Sequence, residues 1–213
     1  MVDVVIVSGM VHSLPRLKAH YIGVDYGALF LVENDFPVEF AVGDFDSVSK
    51  EELERLKAQI KTVYQTASEK SDTDTQLALK LAIEKFPNAR ILIYGATGGR
   101  LDHLLSNLFL PLEERFRPFA AQIELFDLQN HVRYFLPGEH KIACDEQFKY
   151  LAFVPLLPAL DFEIKGAKYQ LSRSNILVPT SFASNEFIAQ PVNFAFKTGV
   201  VCVIESNDES SLR

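Results

Sequence analysis

Residues 91–108 read ILIYGATGGRLDHLLSNL, and this stretch decides the fold class. It begins inside the apolar run Arg90–Tyr94, which has the length and composition of a buried strand. A glycine-rich turn follows. From Leu101 to Leu112, leucines then recur at the three- and four-residue spacing of one helical face. A strand, a tight turn and a helix in this order predict a βα unit of an α/β sheet.

The same alternation extends over the first half of the chain. Further apolar runs predict strands at Val2–Ser8, Tyr21–Val24, Phe40–Val42, Lys61–Gln65 and Ile123–Phe126. A Ser-x-x-Glu capping box at Ser49 predicts a helix to about Gln59, and leucines and alanines on one face predict another over Thr73–Phe86. Strands that alternate with helices favour parallel pairing, so we expect residues 1–130 to form an α/β domain with a largely parallel sheet.

The pattern changes after about Gln129. The segments His131–Leu136, Asp161–Lys165 and 192–196 alternate apolar and polar residues with a period of two, and glycines separate them. No clear amphipathic helix is evident in this half of the sequence. We therefore expect residues 131–213 to form a smaller all-β sandwich domain.

Composition narrows the range of functions. The chain has 213 residues, of which 48% are hydrophobic, and this is ample for a packed core. Its net charge of −7 and the absence of a basic run argue against non-specific nucleic-acid binding. The N-terminal segment lacks the pattern of a signal peptide, and no apolar stretch approaches the roughly 20 residues that span a bilayer. We expect a cytoplasmic protein that binds neither nucleic acid nor membrane.

Three short acidic segments lie in the first half, each in a turn-prone stretch near a predicted strand. They are Gly43–Ser47 (GDFDS), Ser71–Asp74 (SDTD) and Gly98–His103 (GGRLDH). Two unit charges about 4 Å apart repel by about 4 kcal/mol at an effective dielectric near 20, so carboxylates gathered at one rim favour a divalent cation. Oxygen ligands beside glycines and an arginine indicate Mg²⁺ that holds a polyphosphate.

Each aspartate also has a purely structural interpretation. Asp44 and Asp46 are two residues apart, so in an extended segment both face one ion, but aspartate is also common in turns. Asp74 opens a predicted helix and fits either a metal ligand or a first-turn acid. Asp102 lies in the first turn after an anion-binding type of loop, where an acid is unusual unless a cation bridges it to the ligand. Asp25 closes a strand and fits either a contact with the nucleotide or an ion, or a helix N-cap.

The glycine loop suggests a phosphate site. Glycines at 95, 98 and 99 allow backbone N–H groups to approach phosphate oxygens at a helix N-terminus, and Arg100 adds a bidentate donor. The alternative is an ordinary turn in which the glycines take positive φ. The order of a P-loop is absent.

Taken together, these motifs resemble those of the thiamine pyrophosphokinase family along nearly the whole chain. The segment 43–47 matches Gly-Asp-x-Asp-Ser, and the segment 95–103, with Asn107, matches Gly-x-x-Gly-Gly-Arg-x-Asp-His and its downstream Asn. Weaker matches are Asp25–Ala28 to Asp-Gly-Gly-Ala, Lys70–Asp74 to Lys-Asp-x-Thr-Asp, Gly166–Leu171 to Gly-x-x-Tyr/Trp-x-Leu, and Ser184–Glu186 to Ser-Asn-Glu.

The resemblance implies an activity and an assembly. ATP and thiamine would give thiamine diphosphate and AMP, with Mg²⁺ required, as the thiamine hydroxyl attacks the β-phosphorus. The resemblance also implies an ATP-binding α/β domain, a thiamine-binding β-sandwich and a homodimer. The active site would lie at the subunit interface, between the α/β domain of one subunit and the sandwich of the other.

The resemblance further implies residue roles. Metal binding and catalysis would fall to Asp44, Asp46, Asp74 and Asp102, one of which accepts the hydroxyl proton. ATP binding would involve Asp25, Ser47, Lys70, Thr73, Gly95, Gly98, Gly99 and Arg100. Thiamine binding would involve Tyr169, Ser184 and Asn185, with Tyr169 offering a π-face to the cationic ring.

Two positions depart from the family pattern. Tyr26 stands where the first glycine of Asp-Gly-Gly-Ala is usual, and Ser71 stands where an acid usually follows the lysine. Two other functions use the same carboxylates. One is a metal-dependent nucleotide phosphohydrolase, and the other is a thiamine- or nucleotide-binding protein that has lost catalysis.

Overall fold

A computed structural model describes residues 2–67, 71–145 and 147–208 of the chain. It divides into two compact units. The first comprises Met1–Phe116 and Gln122–Leu128, and the second comprises Arg117–Ala121 and Gln129–Arg213. The second unit thus takes in one short segment that precedes the last strand of the first.

Strands and helices alternate through the first unit. The strands are β1 (Asp3–Val7), β2 (Ala19–Val24), β3 (Val38–Gly43), β4 (Val63–Gln65), β5 (Ile91–Tyr94) and β6 (Ile123–Phe126). The helices are α1 (Tyr26–Glu33), α2 (Lys50–Gln59), α3 (Asp74–Lys85) and α4 (Leu101–Leu108). A short 3₁₀ helix follows at Leu110–Leu112, and another at Arg117–Gln122 contains the segment that belongs to the second unit.

The sheet of this unit is parallel throughout. Its strands lie in the order β4-β3-β2-β1-β5-β6, and each neighbouring pair is parallel. The side chains of Val4 to Val7 are all fully buried, although successive residues of a strand face opposite sides. Both faces of the sheet are therefore covered, as parallel sheets require.

The strand order reverses at β1, and this creates a crevice. The chain builds β2, β3 and β4 on one side of β1 and later adds β5 and β6 on the other side. Loops that leave the two sides diverge beyond the carboxyl ends of the strands, where open α/β sheets bind their ligands. The predicted acidic and glycine segments follow β2, β3, β4 and β5 at this edge.

Capping side chains fix where two helices begin. Ser49 and Glu52 form the predicted capping box of α2, and Thr73 and Gln76 form another at α3. The helix predicted to reach Leu112 ends at Leu108, because Pro111 lies in the short 3₁₀ helix that follows. Within the described part of the chain, no helix is long and apolar enough to cross a membrane.

The second unit is an antiparallel sandwich. Its strands are β7 (Asn130–Phe135), β8 (Gly138–Ile142), β9 (Tyr150–Pro155), β10 (Ala159–Lys165), β11 (Leu171–Ile176), β12 (Phe182–Asn185), β13 (Val192–Phe196) and β14 (Val201–Ser206). One sheet has the order β12-β9-β14-β7, and the other has the order β11-β10-β13-β8. Phe153, Phe162 and Phe194 lie in the core between the sheets. The predicted fold class, an α/β domain followed by an all-β sandwich, is confirmed.

Candidate active site

A cavity of about 660 Å³ lies at the carboxyl edge of the parallel sheet. Loops after β1, β2, β3, β4 and β5 line it, so residues far apart in the sequence meet there. Of the predicted site residues, those that line the cavity are Asp25, Asp44, Ser47, Thr73, Asp74, Gly95, Gly98, Gly99 and Arg100. The predicted ATP contact Lys70 lies outside the described residues.

Three half-buried carboxylates converge in this cavity. Asp25, Asp44 and Asp74 each offer one oxygen, and these oxygens all lie within 4.8 Å of one another. Their mutual repulsion is substantial at that spacing, and carboxylate oxygens are hard ligands of the kind that Mg²⁺ prefers. The donor set therefore fits a magnesium ion.

Local contacts orient each of the three. The Oδ1 atom of Asp25 accepts a hydrogen bond from the backbone N–H of Phe45 at 3.4 Å. Asp44 Oδ1 accepts from the backbone N–H of Asp46 at 3.1 Å, and Asp74 Oδ1 accepts from the hydroxyl of Thr66 at 3.0 Å. A hydrogen bond thus orients each carboxylate, from the loop after β3 for Asp25 and from the residue's own loop for Asp44 and Asp74.

The structure differs from the expected quartet of aspartates at two positions. Asp46 is exposed and outside the cluster, because Phe45 between it and Asp44 adopts φ of +58°. The segment therefore turns, and the extended spacing that would place both carboxylates on one side does not occur. Asp25 takes the third place instead. The feature of the sequence that indicated Asp25 was its position directly after β2, the strand next to β3.

Asp102 is likewise exposed and outside the cluster. Arg100 donates to it from Nε at 3.2 Å and from Nη2 at 2.6 Å. These bonds, with one from the backbone N–H of His103, hold the pKa of Asp102 below its usual range. The two residues form an ion pair at the start of α4, which explains an acid in a loop of the anion-binding type.

The glycine loop packs against the loop after β1. Gly95, Gly98 and Gly99 all have positive φ. A β-carbon on Gly95 would come within 2.6 Å of the Ser8 carbonyl oxygen, so only glycine allows this approach. The buried Asn107 of α4 donates to the carbonyl of Ala96 at 2.8 Å and fixes the loop from the other side.

Several cavity residues carry no signal that singled them out as ligand contacts. They are Ser8, Met10 and Thr75. The hydroxyls of Ser8 and Thr75 lie 3.3 Å apart and join the loop after β1 to α3. Their place at the cavity follows from the strand order, which single motifs do not show.

The predicted thiamine contacts lie in the second unit. Tyr169 is 58% exposed, and together with Asn185 it lines a cavity of about 140 Å³. Lys168 Nζ lies 5.5 Å from the centre of the Tyr169 ring and pairs with Glu186 at 2.6 Å. Ser184 is exposed and has φ of +57°.

Asn185 is engaged with the backbone. Its side-chain oxygen accepts from the N–H groups of Tyr169 and Glu186 at 2.8 and 3.0 Å, and its amide donates to the carbonyl of Tyr169 at 2.7 Å. An amide oxygen has two lone pairs, so both acceptor positions are used. The buried Asn185 therefore holds Tyr169 in place.

Comparison with known proteins gives matches in both units. A family model described as thiamin pyrophosphokinase, catalytic domain, matches residues 12–123. A second, described as thiamin pyrophosphokinase, vitamin B1 binding domain, matches residues 139–201. The chain is 35% identical to the thiamine pyrophosphokinase of Bacillus subtilis, over 96% of this chain and 98% of that protein.

Solved structures agree with these matches. A thiamin pyrophosphokinase family protein from Enterococcus faecalis superposes with a TM-score of 0.93 at 42% identity, over 97% of this chain and 100% of that one. The Bacillus subtilis enzyme gives a TM-score of 0.84 at 34% identity, over 97% and 99% of the two chains. Yeast thiamin pyrophosphokinase shares the fold, with a TM-score of 0.74 at 15% identity over 97% of this chain and 86% of that one.

Proposed function

The chain belongs to the thiamine pyrophosphokinase family, and we propose that it transfers a diphosphoryl group from ATP to the hydroxyl of thiamine in a Mg²⁺-dependent reaction that releases AMP. The observation that carries the proposal is the convergence of Asp25, Asp44 and Asp74 beside the glycine loop. This convergence supports a site that combines cation ligands with hydrogen-bond donors to phosphate in one cavity.

Asp25, Asp44 and Asp74 would hold the Mg²⁺. When bound, the ion supplies neutralisation of phosphate charge, which such transfers need more than covalent help. The three carboxylates are negatively charged, and so is the triphosphate of ATP. Without a cation, the protein would therefore repel the triphosphate from the carboxylate cluster. Their arrangement therefore supports a site in which substrate and cation bind together.

Residues 95–100 would bind the phosphates. The N-terminus of α4 follows this loop, and the N-terminus of a helix favours an anion. Arg100 brings a positive charge to the same cavity, and its ion pair with Asp102 limits the directions in which its guanidinium can lie. Ser47 and Thr73 would add hydroxyl groups from the lining of the same cavity.

Tyr169 of the second unit would contact thiamine. An exposed aromatic ring attracts a cationic ring by roughly 0.5–1 kcal/mol, and by about 2 kcal/mol where both are desolvated. Ser184 would add a hydrogen bond, and Asn185 would act by fixing the backbone on both sides of Tyr169.

A homodimer with the active site at the subunit interface completes the proposal. Its support in this structure is an apolar stripe along α4 and its C-cap residue, formed by Leu101, Leu105 and Phe109, which are 68%, 40% and 42% exposed. Residues four apart lie on one helical face, so the three side chains form one continuous patch. We also place the protein in the cytoplasm.

An assay of ATP turnover scored for AMP, with and without thiamine and Mg²⁺, tests the proposal. We expect AMP and thiamine diphosphate only when thiamine and Mg²⁺ are both present. Release of ADP or inorganic phosphate without thiamine would instead show a nucleotide phosphohydrolase. Calorimetric binding of thiamine or ATP without turnover would show a binding protein that lacks catalysis.

A further inference from the structure

Arg115 forms hydrogen bonds with the loop that leads to Asp74, one of the three clustered carboxylates. It follows the 3₁₀ helix Leu110–Leu112, and its Nη1 and Nη2 groups donate to the two oxygens of Asp72 at 2.7 and 2.9 Å. This is the bidentate arrangement in which a guanidinium fixes the orientation of a carboxylate as well as its position. Asp72 lies two residues before Asp74 and lines the same cavity.

A second connection reaches the other side of Asp74. Arg115 Nε also donates to Glu113 at 2.8 Å, and the other carboxylate oxygen of Glu113 accepts from the side chain of Gln76 at 2.5 Å. Gln76 is the residue whose side chain closes the capping box of α3 by accepting from the Thr73 N–H at 2.7 Å. One guanidinium therefore connects to residues 72 and 76.

Asp74 lies between these two anchored residues, as the first residue of α3. Its own side chain accepts from Thr66, and its backbone position is set by the chain on either side. We propose that Arg115 is a positioning residue for the metal site, which acts by holding Asp74 at the spacing that the other carboxylates require. The inference rests on the proposed function, since it assumes that the cluster binds Mg²⁺.

The same contact assigns a role to Asp72. It follows Ser71, the position at which an acid is usual in the family pattern. In this chain the Asp72 carboxylate is paired with Arg115, and among the described residues it is not part of the clustered carboxylates. Asp72 thus anchors its loop to Arg115, and this role is distinct from metal ligation.

Electrostatics and positioning predict opposite effects for the loss of Arg115. Arg115 pairs with Asp72, which lines the cavity, so loss of its positive charge should strengthen cation binding by Coulomb attraction alone. Loss of the contact between Arg115 and the loop before α3 should weaken cation binding, because a displaced Asp74 carboxylate would no longer complete the ligand set. Side chains that orient metal ligands typically change metal affinity by about 10- to 100-fold when they are lost, so positioning should dominate.

The test is a titration of the full chain with Mn²⁺, which takes the same oxygen ligands as Mg²⁺ and is visible by electron paramagnetic resonance. We expect Arg115→Ala and Asp72→Asn each to weaken Mn²⁺ binding by about tenfold. Arg115→Lys keeps the charge without the bidentate fork, so it should bind more tightly than Arg115→Ala and less tightly than the unaltered chain. If Arg115→Ala does not fold, the comparison of Arg115→Lys with the unaltered chain decides.

Arg90→Ala is the matched control. Arg90 also pairs with two carboxylates, those of Asp3 and Glu124, but it lies at the start of β5, away from the cavity. The Arg90→Ala variant should have a lower free energy of unfolding than the unaltered chain and the same Mn²⁺ affinity. Equal or tighter binding in Arg115→Ala would overturn the inference, whereas absence of Mn²⁺ binding by the unaltered chain would instead overturn the proposed metal site.

Discussion

The carboxylate of Asp25 occupies the space that a side chain on Gly43 would need. A β-carbon built at position 43 would lie 1.9 Å from Asp25 Oδ1 and 2.9 Å from its Cγ. Real β-carbon contacts are never that short, so any larger residue there must push Asp25 away. Because β2 and β3 are neighbouring parallel strands, this contact couples the end of β3 to Asp25, the proposed metal ligand that follows β2.

Gly43→Ala should therefore impair the metal site with limited effect on the fold. We expect it to weaken Mn²⁺ binding by about tenfold or more, as for other residues that orient metal ligands. Thiamine-dependent AMP release by this variant should also decrease, because the reaction requires the bound cation. Far-ultraviolet circular dichroism that matches the unaltered chain would show that the sheet is retained. Unchanged Mn²⁺ affinity in a folded Gly43→Ala variant would show that the position of Asp25 does not matter.

The turn at Phe45 predicts a difference between two neighbouring aspartates. Asp44 belongs to the carboxylate cluster and Asp46 is exposed outside it. Without nucleotide, Asp44→Asn should weaken Mn²⁺ binding by at least about tenfold, since loss of a direct ligand exceeds loss of its support. Asp46→Asn removes the same charge from the same turn, and it should have a clearly smaller effect.

This pair of variants also separates geometry from net charge. Both change the charge of the chain equally, so a shared electrostatic effect cancels in the comparison. Equal weakening by the two substitutions would show that Asp46 also binds the ion. It would restore Asp46, one of the four aspartates expected from the family resemblance, to the metal site.

Much of the fold was predictable because it depends on local patterns. The βα unit around residues 91–108 and the capping box at Ser49 use short-range chemistry that a single sequence displays. The place of Asp25 in the cluster depends on two strands that pair across the sheet, and the exclusion of Asp46 depends on one positive φ at Phe45. Neither can be found from spacing, because both result from tertiary contacts.

The partnership of Arg115 was missed for a similar reason. Arg115 and Asp72 are 43 residues apart, and neither segment contains a sequence pattern that indicates the contact. An arginine after a short 3₁₀ helix is also typical of a solvated surface. The exposed face of α4 was also not expected. Its leucine spacing predicts a helix but does not say whether the apolar face meets the core of the same chain or another surface.

Acidification should remove a stabilising contact at Glu39. The pKa of Glu39 is lowered, mainly by the hydrogen bond from Lys85 and also by His20 at 3.2 Å. The folded pKa therefore lies below the unfolded value of 4.5, so the stabilisation is present above that value and is lost as the pH falls through the folded pKa. Glu39→Gln should lower the free energy of unfolding at neutral pH by up to about 1 kcal/mol.

Urea denaturation at several pH values measures this effect. The difference between Glu39→Gln and the unaltered chain should shrink as the pH falls below 4.5. Glu33→Gln, at an exposed position at the end of α1, is the control and should change stability little. A difference that stays constant with pH would show that the ion pair is not its source.

The apolar stripe on α4 should be needed for association of two copies. Replacing Leu105 and Phe109 together by glutamine keeps the helix and removes two of the three apolar side chains of the stripe. We expect the variant to be monomeric by light scattering at concentrations where the unaltered chain is dimeric. Since both side chains are about 40% exposed within one chain, unfolding of the isolated monomer should change little.

Leu177 and Val178 give a matched control, because they are 64% and 65% exposed and lie in a loop of the second unit. Replacing both by glutamine removes a comparable apolar area without touching α4, and the dimer should persist. A subunit-interface active site also requires that the α4 variant lose thiamine-dependent AMP release together with dimerisation. A monomeric variant with full activity would place the complete site within one chain, and dimers that survive the α4 substitutions would place the interface elsewhere.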